Sequence, residues 1–94
     1  MDEELLRALR VAYVARLGDK IAAFEAALAT GGEASVAEIQ RMAHALRGSG
    51  GSYGYPQISL AAGDVEDAES AAVVVTTQRL LAVLRSVSSG EAGS

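Results

Sequence analysis

The chain holds a single histidine, and two of its eight basic residues stand next to it. In a helix each residue turns by about 100°, which fixes who shares a face with His44. With His44 at zero, Arg41 and Arg47 fall about 60° to either side, and Gln40 and Gly48 about 40° to either side. Ile39, Met42, Ala43 and Leu46 all lie at least about 100° away, so the apolar face is the opposite one. The imidazole therefore belongs on the solvent face, between two guanidinium groups, with a bare glycine one turn further on. That setting suits nucleophilic attack on a phosphoryl group. An unprotonated ring nitrogen attacks, the guanidinium charges offset the anionic oxygens, and the glycine admits another protein's active site. The plainer reading is an incidental surface histidine on a solvated charged face. Two cations bracketing the one histidine, in a chain of net charge −4, argue against it.

Other chemistries are excluded by composition. There is no cysteine, so disulfides, thiolate zinc sites and cysteine nucleophiles are ruled out, which fits a reducing compartment. One histidine cannot supply a multi-histidine metal site within a monomer. The stretch Gly48-Ser49-Gly50-Gly51-Ser52-Tyr53-Gly54 fails the G-x-G-x-x-G spacing, follows a helix where a strand is required, and has no G-K-[ST] after it. Asp64, Glu66, Asp67 and Glu69 cluster, but without the calcium-loop spacing they read as a solvated helix end. No serine carries a triad motif. The acidic balance argues against nucleic acid or anionic membrane as a main partner. No apolar run approaches the roughly 18 residues of a membrane span, and the acidic start Met1-Asp2-Glu3-Glu4 has no apolar stretch behind it. A small, soluble, cytoplasmic protein is expected.

Ninety-four residues, half of them hydrophobic and 21% charged, make one domain, expected over residues 1–88, with a flexible polar tail over 89–94. Only 4% of residues are aromatic, so alanine, leucine and valine must fill a core of closely packed helices. Leu6, Leu9, Tyr13, Leu17, Ile21, Phe24 and Leu28 recur at helical spacing from Asp2 to about Thr30. Asp2 can cap that stretch. Gly18 either bends one long helix or separates a short leading helix from a second; the second reading is preferred. Gly31-Gly32 ends it. Ser35-Val36-Ala37-Glu38 has the form of a capping box, opening a helix expected to reach Arg47 or Ser49 before Gly48 to Ser52 loosen it. Pro56 starts a further helix with Ile58, Ala61 or Ala62, Val65 and Ala68 on one face. Ser70 can cap the last, whose stripe is Val73, Thr77, Leu80, Leu84 and Val87. Val73 to Thr77 favours a strand by propensity, yet no other segment alternates, so a helix is predicted. The result is all-α: an antiparallel four-helix bundle with room for a short extra N-terminal helix.

Ala43-His44-Ala45-Leu46-Arg47-Gly48, followed by Gly54-Tyr55-Pro56-Gln57-Ile58, resembles the histidine-containing phosphotransfer (HPt) family. The family pattern is H-x-L-[KR]-G, a glycine about ten residues after the histidine and an apolar residue four further on. His44, Leu46, Arg47, Gly48, Gly54 and Ile58 fill it. The resemblance runs from about Tyr13 to Val87. It implies a phosphorelay carrier, without ATP-dependent kinase activity, that takes a phosphoryl group from a receiver domain's phosphoaspartate onto His44 and passes it to another receiver. Arg47 would steady the phosphoryl oxygens and Gly48 give access. Gln40, Arg41 and Gly51 are candidate partner contacts, and Leu6 or Leu9 could lie on an apolar docking rim. The resemblance implies no bound cofactor and places Mg²⁺ on the receiver, with the receiver of a hybrid kinase among the candidates. A monomer is expected. The rival class is a non-catalytic helical interaction module, with a self-associating bundle as a third.

Overall fold

Residues 2–90 are described by a computed structural model. The chain runs through α1 (Glu3–Ala15), α2 (Leu17–Thr30), α3 (Glu33–Ser52), α4 (Pro56–Glu66), a 3₁₀ turn (Ser70–Ala72) and α5 (Val73–Ser88). Helices α2 to α5 form the antiparallel four-helix bundle, and α1 is the added N-terminal helix. At 13 residues that helix is nearly as long as α2, rather than short. Its start is as expected: the Asp2 carboxylate accepts from the Glu4 N–H at 3.2 Å. The break after it falls at Arg16, two residues before Gly18. The buried stripe begins there, since α1 has no buried residue whereas Leu17 is 1% exposed.

Gly31 and Gly32 both have positive φ, 70° and 87°, so the chain reverses within two residues and α3 starts at once. This corrects the expected capping box. Ser35 lies inside the first turn of α3 and is buried, and no side chain caps that helix. The far end of α3 also differs, because the helix continues through its glycines to Ser52. Gly50 serves close approach: a Cβ there would stand 3.0 Å from both Ile58 Cγ2 and the Ser59 backbone nitrogen on α4. Ser59 Oγ donates to the Arg47 carbonyl at 2.7 Å, and Ser52 Oγ to that of Gly48 at 3.1 Å. These contacts offset the roughly 1 kcal/mol that each glycine costs a helix relative to alanine.

Pro56 takes the first position of α4 as expected. Ala68 packs on the edge of the core but lies beyond the end of that helix. Ser70 opens the 3₁₀ turn instead of capping α5, because the Ala72 N–H bonds to the Glu69 carbonyl at 2.8 Å. Helix α5 forms in spite of its β-branched start. All five residues of its predicted stripe are buried, together with Leu81, and that burial outweighs propensity. Ser70–Ser88 is in fact long and apolar enough, by length and composition, to cross a membrane, contrary to the sequence expectation; its stripe forms one wall of the bundle core. Phe24, Ile39, Ile58, Leu80 and Leu84 meet at the centre. Of the expected tail, Ser89 and Gly90 close α5; residues 91–94, like Met1, lie outside the described residues.

Helix α1 is fastened to the α3–α4 turn by aromatic contacts. Tyr13 stacks on Tyr53 at 4.7 Å and on Tyr55 at 5.9 Å between ring centroids. Its hydroxyl shares a 3.0 Å hydrogen bond with Ser49, and Arg10 Nε donates to the Tyr53 carbonyl at 2.9 Å.

Candidate functional site

The apolar residues of α3 turn Ile39, Ala43 and Leu46 into the core and so send His44 outward. Its side chain is 74% exposed. The ring is held on one side only: Nδ1 is hydrogen-bonded to Oε2 of Glu66, the last residue of α4. The other carboxylate oxygen of Glu66 accepts from Arg47 Nη1 at 3.1 Å, and the same Nη1 stands 3.6 Å from Asp67 Oδ2. The Arg47 side chain runs past Gly63 on α4. A Cβ there would come within 3.4 Å of Arg47 Nε, so the guanidinium lies across a bare stretch of helix.

Three of the predicted residues are placed as follows. Gln40 is half-buried and faces α4: its Nε2 donates to the carbonyls of Ala68 at 2.9 Å and Val65 at 3.2 Å, with Glu66 at 3.4 Å. Carbonyls at a helix C-terminus lack partners within the helix, so Gln40 satisfies them and fixes the turn that carries Glu66. Arg41 pairs with Glu38 on its own helix. Only Arg47, of the two flanking arginines, reaches the histidine's partner. The guanidinium charges therefore do not act on the ring alone, because each is met by a carboxylate. Leu6 does not line the groove between α1–α2 and α3, whereas Leu9 does. That groove, of about 720 Å³, is walled by Tyr13, Leu17 and Leu46 and edged by Arg41.

Gly48 and Gly51 are exposed on the His44 face. A Cβ at Gly48 would meet nothing within 4 Å, and one at Gly51 only Ser59 Oγ at 3.9 Å. Packing demands neither glycine, unlike Gly50.

Glu66 is the residue that sequence reasoning missed, dismissed with its acidic neighbours as a solvated end. The signal was present in the hairpin: His44 and Glu66 lie nearly equally far from Gly54, the turn between α3 and α4. Antiparallel helices bring such positions opposite each other. The bond from Arg47 holds the Glu66 carboxyl below the usual glutamate range; partial burial opposes this and the bond to His44 adds to it. Its folded value lies below its unfolded one, so the pairing stabilises the fold above the ordinary glutamate range and fades as pH falls through the lowered value. Carboxyl ¹³C titration should find Glu66 below a normal glutamate, and Arg47→Ala should move it back up. A normal value in the wild type would refute the pairing.

The chemical consequence concerns the tautomer. With Nδ1–H donating to the Glu66 carboxylate, the neutral ring keeps its lone pair on Nε2, the nitrogen facing water. The carboxylate also offsets positive charge that forms on the ring when Nε2 is substituted. Residues 8–89 match a family model described as Hpt domain. No curated protein and no solved structure matches the chain at a significant level.

Proposed function

The chain belongs to the Hpt domain family, and from that premise we propose that His44 is its phosphoacceptor. The family carries phosphoryl groups on histidine in phosphorelays, as partners of response-regulator receiver domains and not as kinases. Here Nε2 of His44 attacks the phosphorus of a receiver's aspartyl phosphate. The N–P bond forms, the bond from phosphorus to the acyl oxygen breaks, and its electron pair leaves on the aspartate carboxylate. Glu66 holds the ring by Nδ1–H and balances its charge through the step. Arg47 supplies the cation beside the incoming oxygens, and Gly48 and Gly51 leave the approach clear. The groove next to Arg41 takes part of the receiver's docking surface, with Leu9 on its wall. Reversal of the step on a second receiver passes the group on. The receiver brings Mg²⁺, and its source includes hybrid kinases. We place the exchange in the cytoplasm and assign it to a monomer.

The observation that carries this reading is the exposed imidazole tied to a carboxylate through one nitrogen. Phosphorylated receiver domains with Mg²⁺ should deposit acid-labile, alkali-stable phosphate on the protein, mapped to His44 by peptide sequencing. A panel of receivers that bind without leaving any label would sink the proposal and leave a helical interaction module.

A further inference from the structure

The site contains more negative than positive charge before any phosphoryl group arrives. Among the described residues Arg47 is the one lysine or arginine in contact with Glu66, and its Nη1 is shared between two carboxylates, Glu66 at 3.1 Å and Asp67 at 3.6 Å. Their roles differ. Glu66 also holds the His44 ring, and its side chain is 25% exposed. Among the described residues the Asp67 carboxylate forms one ion pair, with Arg47, and its side chain is 70% exposed. The residue caps α4 through its backbone, by a bond from its N–H to the Gly63 carbonyl at 3.0 Å, and the cap does not use its carboxylate. What the carboxylate does is draw the guanidinium toward the α4 terminus and cancel part of its charge.

We infer that Asp67 is a restraining residue: it competes with the phosphoryl group for Arg47 and so limits how long phosphate stays on His44. The inference rests on His44 being the phosphoacceptor. A phosphorylated ring adds further negative charge beside this cluster, and the oxygens then need the same guanidinium that Asp67 holds. By keeping a share of Arg47, the Asp67 carboxylate raises the free energy of the phosphorylated form and favours release. The site is thereby suited to passing a phosphoryl group on rather than storing it. Removing the Asp67 charge leaves Glu66 and the ring geometry in place and frees the cation. Surface ion pairs in water are weak, so the effect is about threefold, and it shrinks as salt screens it.

The test needs no partner protein. Phosphoramidate serves as the donor: Nε2 displaces ammonia from phosphorus, and the leaving nitrogen takes up a proton. Asp67→Asn is compared with the wild type and with Asp64→Asn, which removes the same charge from an exposed residue that makes no ion pair among the described residues. At low ionic strength, phosphate on His44 should persist about threefold longer in Asp67→Asn, while Asp64→Asn stays close to the wild type. In 0.5 M salt the difference should narrow. Equal lifetimes in wild type and Asp67→Asn, or equal gains in both variants, would overturn the role of Asp67 alone. Failure of the wild type to take label on His44 would overturn the phosphoacceptor reading as well.

Discussion

Replacing His44 by glutamine is expected to abolish receiver-dependent labelling, with a loss of at least about a hundredfold, while the helix content stays unchanged. No other imidazole exists in the chain to take over. Glutamine keeps a polar side chain that can still hydrogen-bond Glu66, but its amide nitrogen has no basic lone pair for attack on phosphorus. The ring is largely exposed and contributes nothing to the core, so the fold does not depend on it. Circular dichroism and thermal unfolding, run beside the labelling, separate chemistry from structure. Acid-labile phosphate persisting on the variant would move the acceptor elsewhere and remove the basis of the phosphotransfer assignment to this residue.

Gly50→Val is expected to lower stability by about 2 kcal/mol, because overpacking of a closely fitted contact costs about 1–3 kcal/mol. Even a Cβ would stand 3.0 Å from the Ser59 backbone nitrogen, and backbone cannot step aside as the tip of a long side chain can. Helices α3 and α4 must separate locally, and the Ser59 to Arg47 hydrogen bond at 2.7 Å lies in the path. For a domain of this size the change corresponds to a melting temperature lower by about 10 °C. Gly48→Ala is the contrasting case. Nothing stands within 4 Å of its Cβ, so it should keep or raise stability through better helix propensity. Thermal melts of the two variants check the pair, and an unchanged Gly50→Val melt would show that the α3–α4 contact is looser than the distances imply.

The outward aspect of His44 was legible in the sequence because helical geometry is periodic, and one apolar face fixes the direction of the opposite one. The Val73 to Thr77 helix was legible only by elimination, since its residue types favour strands and burial decides the outcome. Glycine was the least informative type. Gly31 and Gly32 turn the chain, Gly50 lets α4 come close, and Gly48 stands in open space. A sequence shows the same letter in all three roles, so the end of α3 was placed too early. Gln40 and Glu66 were misjudged for a related reason. Glu66 reads as part of a solvated end and Gln40 as a partner contact until the α3–α4 hairpin brings the imidazole and the carbonyl ends within reach of them.

An imidazole fastened at Nδ1 has a single open berth, at Nε2. With His44 as the phosphoacceptor we propose, two receivers could not be served at once: whichever delivers would have to depart before its successor lands. Traffic through such a carrier would then be paced by how quickly each visitor vacates, and a donor that lingers would act as a brake on the very pathway it feeds.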